Sequence, residues 1–203
     1  MNLPNKLTLA RIGLIPVFVF FVSVNIQYRF FWAAFVFAIA SFTDYLDGHI
    51  ARKQGIVTDF GKFADPLADK ILTTTAIVYL MNIGLCHPLV IILIITREFA
   101  VSGVRMVAAG AKDGTVIAAN IWGKVKTVLQ MVSVILVYTM LGIAEMQIAA
   151  NQKHIDWAAG SVSSLMQTTT QISHILMWLV AVVTVVSGIQ YLWQNRQFIN
   201  TAK

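Results

Sequence analysis

Five of the nine carboxylates in this 203-residue chain, Asp44, Asp47, Asp59, Asp65 and Asp69, fall between positions 44 and 69. Asp44 and Asp47 stand three apart, and Asp65 and Asp69 stand four apart, so on two helices each pair shares a face. Gly61 lies four before Asp65 on the same face. Four acids held together repel one another and lose hydration. Near lipid they persist where cations neutralise them or where protons or ions move through them. An all-oxygen set, with no cysteine and no convergent histidine, suits a hard cation such as Mg²⁺ or Mn²⁺. Two such ions would clamp a pyrophosphate and stabilise charge on an attacking and a leaving oxygen. Helix capping, or pairing with Arg52, Lys53, Lys62 and Lys70, would account for one such aspartate. It accounts poorly for four, beside Gly48, Ala51 and Gly61, whose small side chains leave room for a ligand against the helix.

The elements that must hold these acids are apolar. Hydrophobic residues make up 58% of the chain and charged residues 12%, against roughly 25% charged in a soluble domain. Mean hydropathy is +0.74. This composition excludes intrinsic disorder and argues against a soluble enzyme. A single cysteine excludes a disulfide framework and a cysteine-built zinc site. A membrane-spanning helix needs roughly 20 apolar residues. Runs at 12–24, 30–43, 71–96 (two spans turning at Asn82, Gly84 and Pro88), 127–144 and 172–193 predict six. The reading is one all-α integral membrane domain over residues 1–203. Six transmembrane helices follow a short N-terminal interfacial helix, residues 2–11, in which Lys6 and Arg11 interleave with leucines. A polar stretch from Glu145 to about Gln171 precedes the last span. Pro66 is expected in a first helical turn, where its missing N–H costs little. A cleaved signal peptide fits less well, because no small-residue cleavage site follows the first run.

Charge orients the bundle. With both termini and the 2–3 and 4–5 connections on one side, that side holds Lys6, Arg11, Arg52, Lys53, Lys62, Lys70, Arg97, Arg105, Lys112, Lys124, Lys126, Arg196 and Lys203. The other side holds Arg29 and Lys153. A bias of thirteen to two places the first set in the cytoplasm. The net charge of +6 is therefore topology rather than a nucleic-acid surface. His87, His154 and His174 scatter over the outer side, with Cys86 near an outer turn, and His49 is interfacial. Trp32, Trp157, Trp178 and Trp193 include interface anchors.

The segment DYLDGHIARKQGIVTDFGKFADPLAD, residues 44–69, fills the skeleton D-x2-D-G-x2-A-R-x8-G-x3-D-x3-D. It resembles the signature of the CDP-alcohol phosphotransferase family of integral membrane enzymes. The span count and length agree with that family along essentially the whole chain. The flanking segments NLPNKLTLARI, TREFAVSGVR and ANIWGKVKT look most like members that use glycerol 3-phosphate. The resemblance thus implies transfer of a phosphatidyl group from CDP-diacylglycerol to glycerol 3-phosphate, with release of CMP, at the inner face of a bacterial cytoplasmic membrane. It also implies a homodimer. Members whose acceptor is phosphatidylglycerol or inositol phosphate are the alternative. A divalent-cation transporter is a remoter one, since the acids cluster at one end of two helices instead of crossing the bilayer.

Carried over residue by residue, the resemblance makes Asp44, Asp47, Asp65 and Asp69 ligands of two divalent ions, and Asp69 the base. Gly48, Ala51, Arg52, Asp59 and Gly61 would take the CDP moiety, with Asn5, Thr8 and Arg11 closing the nucleotide pocket. The acceptor is a dianionic phosphate. Arg105, Lys124, Lys126 and Arg97 are candidates for its cradle, Arg105 foremost because it is expected deeper in an apolar stretch, where an unpaired charge is costly. Snorkelling to the interface is the ordinary use of the lysines. Glu98 pairs with Arg97 in support of the fourth helix or of the acceptor site. Gly103, Ala109 and Gly110 suit helix packing.

Overall fold

The computed structural model describes the backbone of residues 3–54, 59–110, 121–151 and 158–196, and side chains within 6–43, 67–108, 121–148 and 164–196. Over these residues the chain is all-helical. It contains α1 (Leu3–Ser23), α2 (Arg29–Gln54), α3 (Asp59–Asn82), α4 (Pro88–Gly110), α5 (Ile121–Asn151) and α6 (Ala158–Gln194). Three segments, Lys6–Ser23, Ile121–Ile148 and Ser164–Gln194, are long and apolar enough to cross a membrane, and Arg29–Thr43 is a shorter apolar one. Phe35, Phe42, Ile92, Val128 and Ile175 are each more than half exposed. Water does not suit so apolar an exterior, whereas lipid does.

One apolar cluster draws on all six helices, with Phe18, Phe37, Leu80, Ile94, Tyr138 and Met177 among its members. Phe18 of α1 meets the Tyr138 ring of α5 edge-on at 5.4 Å between centroids. The Tyr138 hydroxyl donates to the Ala76 carbonyl of α3 at 2.9 Å. A buried phenol thus gains the partner it needs where no water is available.

The predicted turn at residues 82–88 forms for identifiable reasons. Gly84 adopts φ +79°. Its N–H donates to Met81 at 3.0 Å, and that of Leu85 donates to Leu80 at 2.8 Å. These two bonds close a helix with a left-handed residue, and the buried Leu80 and Leu85 supply the accompanying apolar contact. Pro88 then opens α4, and His87 Nδ1 accepts the Leu89 N–H at 3.2 Å as an N-cap. A Cβ on Gly84 would meet nothing within 4 Å, so Gly84→Ala carries only the backbone penalty. The expected loss is roughly 1–2 kcal/mol of stability, seen as a lower melting temperature in detergent with turnover per folded molecule unchanged.

The structure corrects several sequence expectations. The N-terminal interfacial segment is not a separate helix: residues 3–23 form one α-helix running through Pro16. The proline removes one backbone bond, which a bundle interior tolerates. The polar stretch 145–171 is mostly helical. α5 continues through Asn151, and α6 already begins at Ala158. Thr168, Thr169 and Thr170 return their hydroxyls to carbonyls four residues back, so these polar residues satisfy themselves without breaking the helix. Ser173 and His174 of α6 contact the turn at Leu85 and Gly84. Residues 158–172 therefore project past that turn by roughly 20 Å. Arg29, opening α2, pairs with Glu145 of α5 at 3.3 Å at the same end of the bundle. Finally, α3 starts at Asp59, so Pro66 lies in the helix interior and not in its first turn.

Candidate functional site

α2 carries positions 44, 47, 48, 51 and 52 on one continuous helix, and α3 carries 59, 61, 65 and 69 on the next. The two helices pack together, and only residues 55–58 separate them in sequence. Counting back from Gln54 and forward from Asp59, positions 47 and 65 lie roughly 10 Å along their helices, and positions 44 and 69 roughly 15 Å. By helix rise alone, each acidic pair stands at a comparable distance from the helix end that the 55–58 link follows or precedes. The side chains of Asn5, Asp44, Asp47, Gly48, Ala51, Arg52, Asp59, Gly61 and Asp65 lie outside the described residues, as does that of His49. Among the described residues no cluster of three His, Cys, Asp or Glu side chains could hold a metal. Asp69 is the one member of the acidic set whose side chain is described. The chemistry of the donor set, four aspartates carried by two consecutive helices, fits a hard divalent ion.

Asp69 is half-buried, and its backbone carbonyl accepts the Thr73 hydroxyl at 2.9 Å. The adjacent Lys70 reaches across to the Ser102 hydroxyl of α4. From α1, which packs on α3, Thr8 and Arg11 are fully buried, and both are engaged with neighbouring groups.

The basic candidates separate in a way their sequence positions do not show. Lys126 is 3% exposed, and its ammonium bonds Glu98 of α4. Arg97 Nη1 bonds the same Glu98 oxygen at 3.0 Å. The Asp69 carboxylate lies within electrostatic reach of Lys126, and Lys70 within that of Glu98. The burial order therefore reverses the expectation that favoured Arg105. That residue is exposed; its Nε donates to the Tyr191 hydroxyl at 3.3 Å, and its guanidinium lies 5.6 Å from the centre of that ring. It stands eight residues beyond Arg97, roughly 12 Å along α4. Lys124 is exposed.

Sequence reasoning missed two glycines. A Cβ on Gly188 of α6 would fall 2.9 Å from Arg97 Cγ, and one on Gly123 of α5 would fall 3.3 Å from Arg97 Nη2. Arg97 is therefore threaded between α5 and α6 where both lack side chains. Only the small-residue rule for helix contacts could have pointed there, and it does not say what fills the gap.

Two of the singled-out histidines meet at the opposite end. His87 caps α4 and lies 5.9 Å from the Trp178 ring, while His174 meets the same turn through Gly84. These two histidines are thus neighbours of one turn, and His154 lies outside the described residues. Burial pushes the Cys86 thiol up to about 11, which leaves it unreactive near neutral pH.

A model of the CDP-alcohol phosphatidyltransferase family matches residues 1–189. The chain belongs to that family, whose members are membrane-embedded transferases of phosphate-containing groups. Three relatives bear the name CDP-diacylglycerol–glycerol-3-phosphate 3-phosphatidyltransferase. The protein of Bacillus subtilis is 46% identical over 145 residues, 66% of this chain and 74% of the relative. That of Rickettsia bellii is 34% identical over 190 residues, 94% and 93% of the two chains. That of Haemophilus influenzae is 38% identical over 134 residues, 65% and 72%.

Proposed function

We propose that the chain transfers the phosphatidyl group of CDP-diacylglycerol to the 1-hydroxyl of sn-glycerol 3-phosphate and releases CMP. The observation that carries this reading is likeness to relatives named for that reaction, extending over 94% of the chain in one of them. The acidic motif and the cationic cluster agree with it, because the reaction brings a lipid pyrophosphate to an anionic, water-soluble alcohol.

In this reading Asp44, Asp47, Asp65 and Asp69 hold two divalent ions, Mg²⁺ or Mn²⁺. Bound there, the ions would supply neutralisation of the pyrophosphate and of the departing CMP. The chain does the rest. Gly48, Ala51 and Gly61 let the CDP moiety lie against α2 and α3, Arg52 contacts its phosphates as a planar fork, and Asp59 meets the cytosine or ribose. Asn5, Thr8 and Arg11 close the pocket from α1. Asp69 accepts the proton of the acceptor hydroxyl as its oxygen attacks the phosphatidyl phosphorus and the bond to CMP breaks. Lys126 and Arg97 receive the acceptor's phosphate beside Asp69, and Arg105 and Lys124 draw it in from the rim.

All six helices span the membrane, with the site and both termini at the cytoplasmic face of a bacterial cell membrane. The thirteen-to-two distribution of basic residues supports that orientation. Two copies pair as a homodimer, on family resemblance. The deciding experiment is an acceptor panel with purified protein, CDP-diacylglycerol and Mg²⁺ or Mn²⁺. CMP release is expected with glycerol 3-phosphate and not with inositol 1-phosphate, serine or phosphatidylglycerol. Release with phosphatidylglycerol or inositol phosphate instead would move the chain to another branch of the family, and ion flux without CMP release would make it a transporter.

A further inference from the structure

Lys126 is almost wholly buried in a bundle whose surroundings are apolar, and such a cation needs a partner. Its partner is Glu98, which also holds Arg97 through the same oxygen, Oε1. One carboxylate thus faces two cations, with Lys70 adding attraction from α3. The local charge remains positive after Glu98 is counted, beside Asp69. A carboxylate in a site meant for an anion looks self-defeating, unless its task is to hold the cations in place.

We propose that Glu98 is a positioning residue for the acceptor phosphate. It fixes Arg97 and Lys126 at one height beside Asp69, so that the phosphate meets a preformed pair of donors. Gly188 and Gly123 belong to the same device. Arg97 leaves α4 and passes between α5 and α6. A methyl group at position 188 would overlap its Cγ, at 2.9 Å, and that atom is too close to the α4 backbone to swing aside. At Gly123 the near atom is the flexible end of the guanidinium, at 3.3 Å, which can give way by a few tenths of an ångström. Gly188 is therefore the stricter requirement.

This inference rests on the proposed acceptor, and the test separates the two. Wild type, Glu98→Gln, Glu98→Asp and Gly188→Ala are purified in nanodiscs, and CMP release is measured against each substrate in turn, together with the melting temperature. Glu98→Gln is expected to raise the KM for glycerol 3-phosphate by about tenfold or more while leaving that for CDP-diacylglycerol within about twofold. Glu98→Asp restores part of the loss, because it keeps the charge on a shorter stem. Gly188→Ala raises the acceptor KM by a smaller factor, about three- to tenfold, with the same split. The positioning role is overturned if the acceptor KM of Glu98→Gln stays at the wild-type value. It is equally overturned if both KM values rise together with a lowered melting temperature, or if Glu98→Asp is no better than Glu98→Gln. Should Glu98→Gln fail to fold, Glu98→Asp and Gly188→Ala decide by the same split. A wild-type protein that releases no CMP with glycerol 3-phosphate overturns the functional reading, and this one with it.

Discussion

Asp69→Asn is expected to lower CMP release by about a thousandfold or more, since an amide cannot accept the acceptor's proton and general-base catalysis is worth about 10²–10⁴-fold. The substitution conserves shape. The bond from the Thr73 hydroxyl goes to the backbone carbonyl of residue 69 at 2.9 Å and is untouched by it, so the fold is expected to survive. Loss of a base and loss of a ligand can be told apart by varying the metal. For Asp44→Asn, which in the proposed site removes one of several ligands, the rate is expected to recover substantially as Mg²⁺ or Mn²⁺ is raised, because affinity is what would be lost. For Asp69→Asn no such recovery is expected. Activity above about a tenth of wild type, or full rescue by metal, would remove Asp69 from the role of base.

Why the acidic motif was legible and the packing of the basic candidates was not is a matter of where each is encoded. The four aspartates lie on two consecutive helices joined by a short link, so their relation follows from spacing and from the rise of the helix alone. The turn at residues 82–88 was legible for a similar reason. Gly84 is the residue able to take φ +79° at little cost, and Pro88 can open a helix. The contact of Lys126 with Glu98 instead joins residues 28 apart on α4 and α5. It depends on how each helix is rotated about its axis, which hydropathy does not record. Arg105 was favoured because apolar residues flank it in sequence, yet Met106 and Val107 are themselves exposed, and the guanidinium lies exposed on Tyr191. The helical extension of α5 and α6 was missed for another reason. Hydropathy finds where side chains favour lipid, and it does not distinguish a polar helix from a loop; in α6 the Thr168, Thr169 and Thr170 hydroxyls are satisfied on the helix's own carbonyls.

The same contrast between position and burial governs the basic candidates. Lys126→Met keeps the apolar stem and most of the volume but removes the ammonium, leaving Glu98 to Arg97 alone. A charge-assisted hydrogen bond is worth about 1.5–3 kcal/mol. The acceptor KM is therefore expected to rise by about 10- to 100-fold, with the donor KM little changed. Lys124→Met is the comparison, a cation that in the proposed site attracts the acceptor from the rim without holding it. It lies two residues away and carries the same charge, but it is exposed and screened, so a change of no more than about twofold is expected. Steady-state CMP release at saturating CDP-diacylglycerol, with glycerol 3-phosphate varied, measures both. Equal effects of the two substitutions would mean that the cytoplasmic lysines act as a diffuse attractive field, and that burial beside Glu98 and Asp69 does not select the one that binds. A large effect confined to Lys126 would mean that the acceptor's phosphate is held by the cation the bundle encloses, at the height of the carboxylate that takes the proton from its hydroxyl. Donor and acceptor would then meet along one line across α3, α4 and α5. The 12% of the chain that is charged would be divided between orienting the helices in the membrane and bringing two phosphates together at its surface.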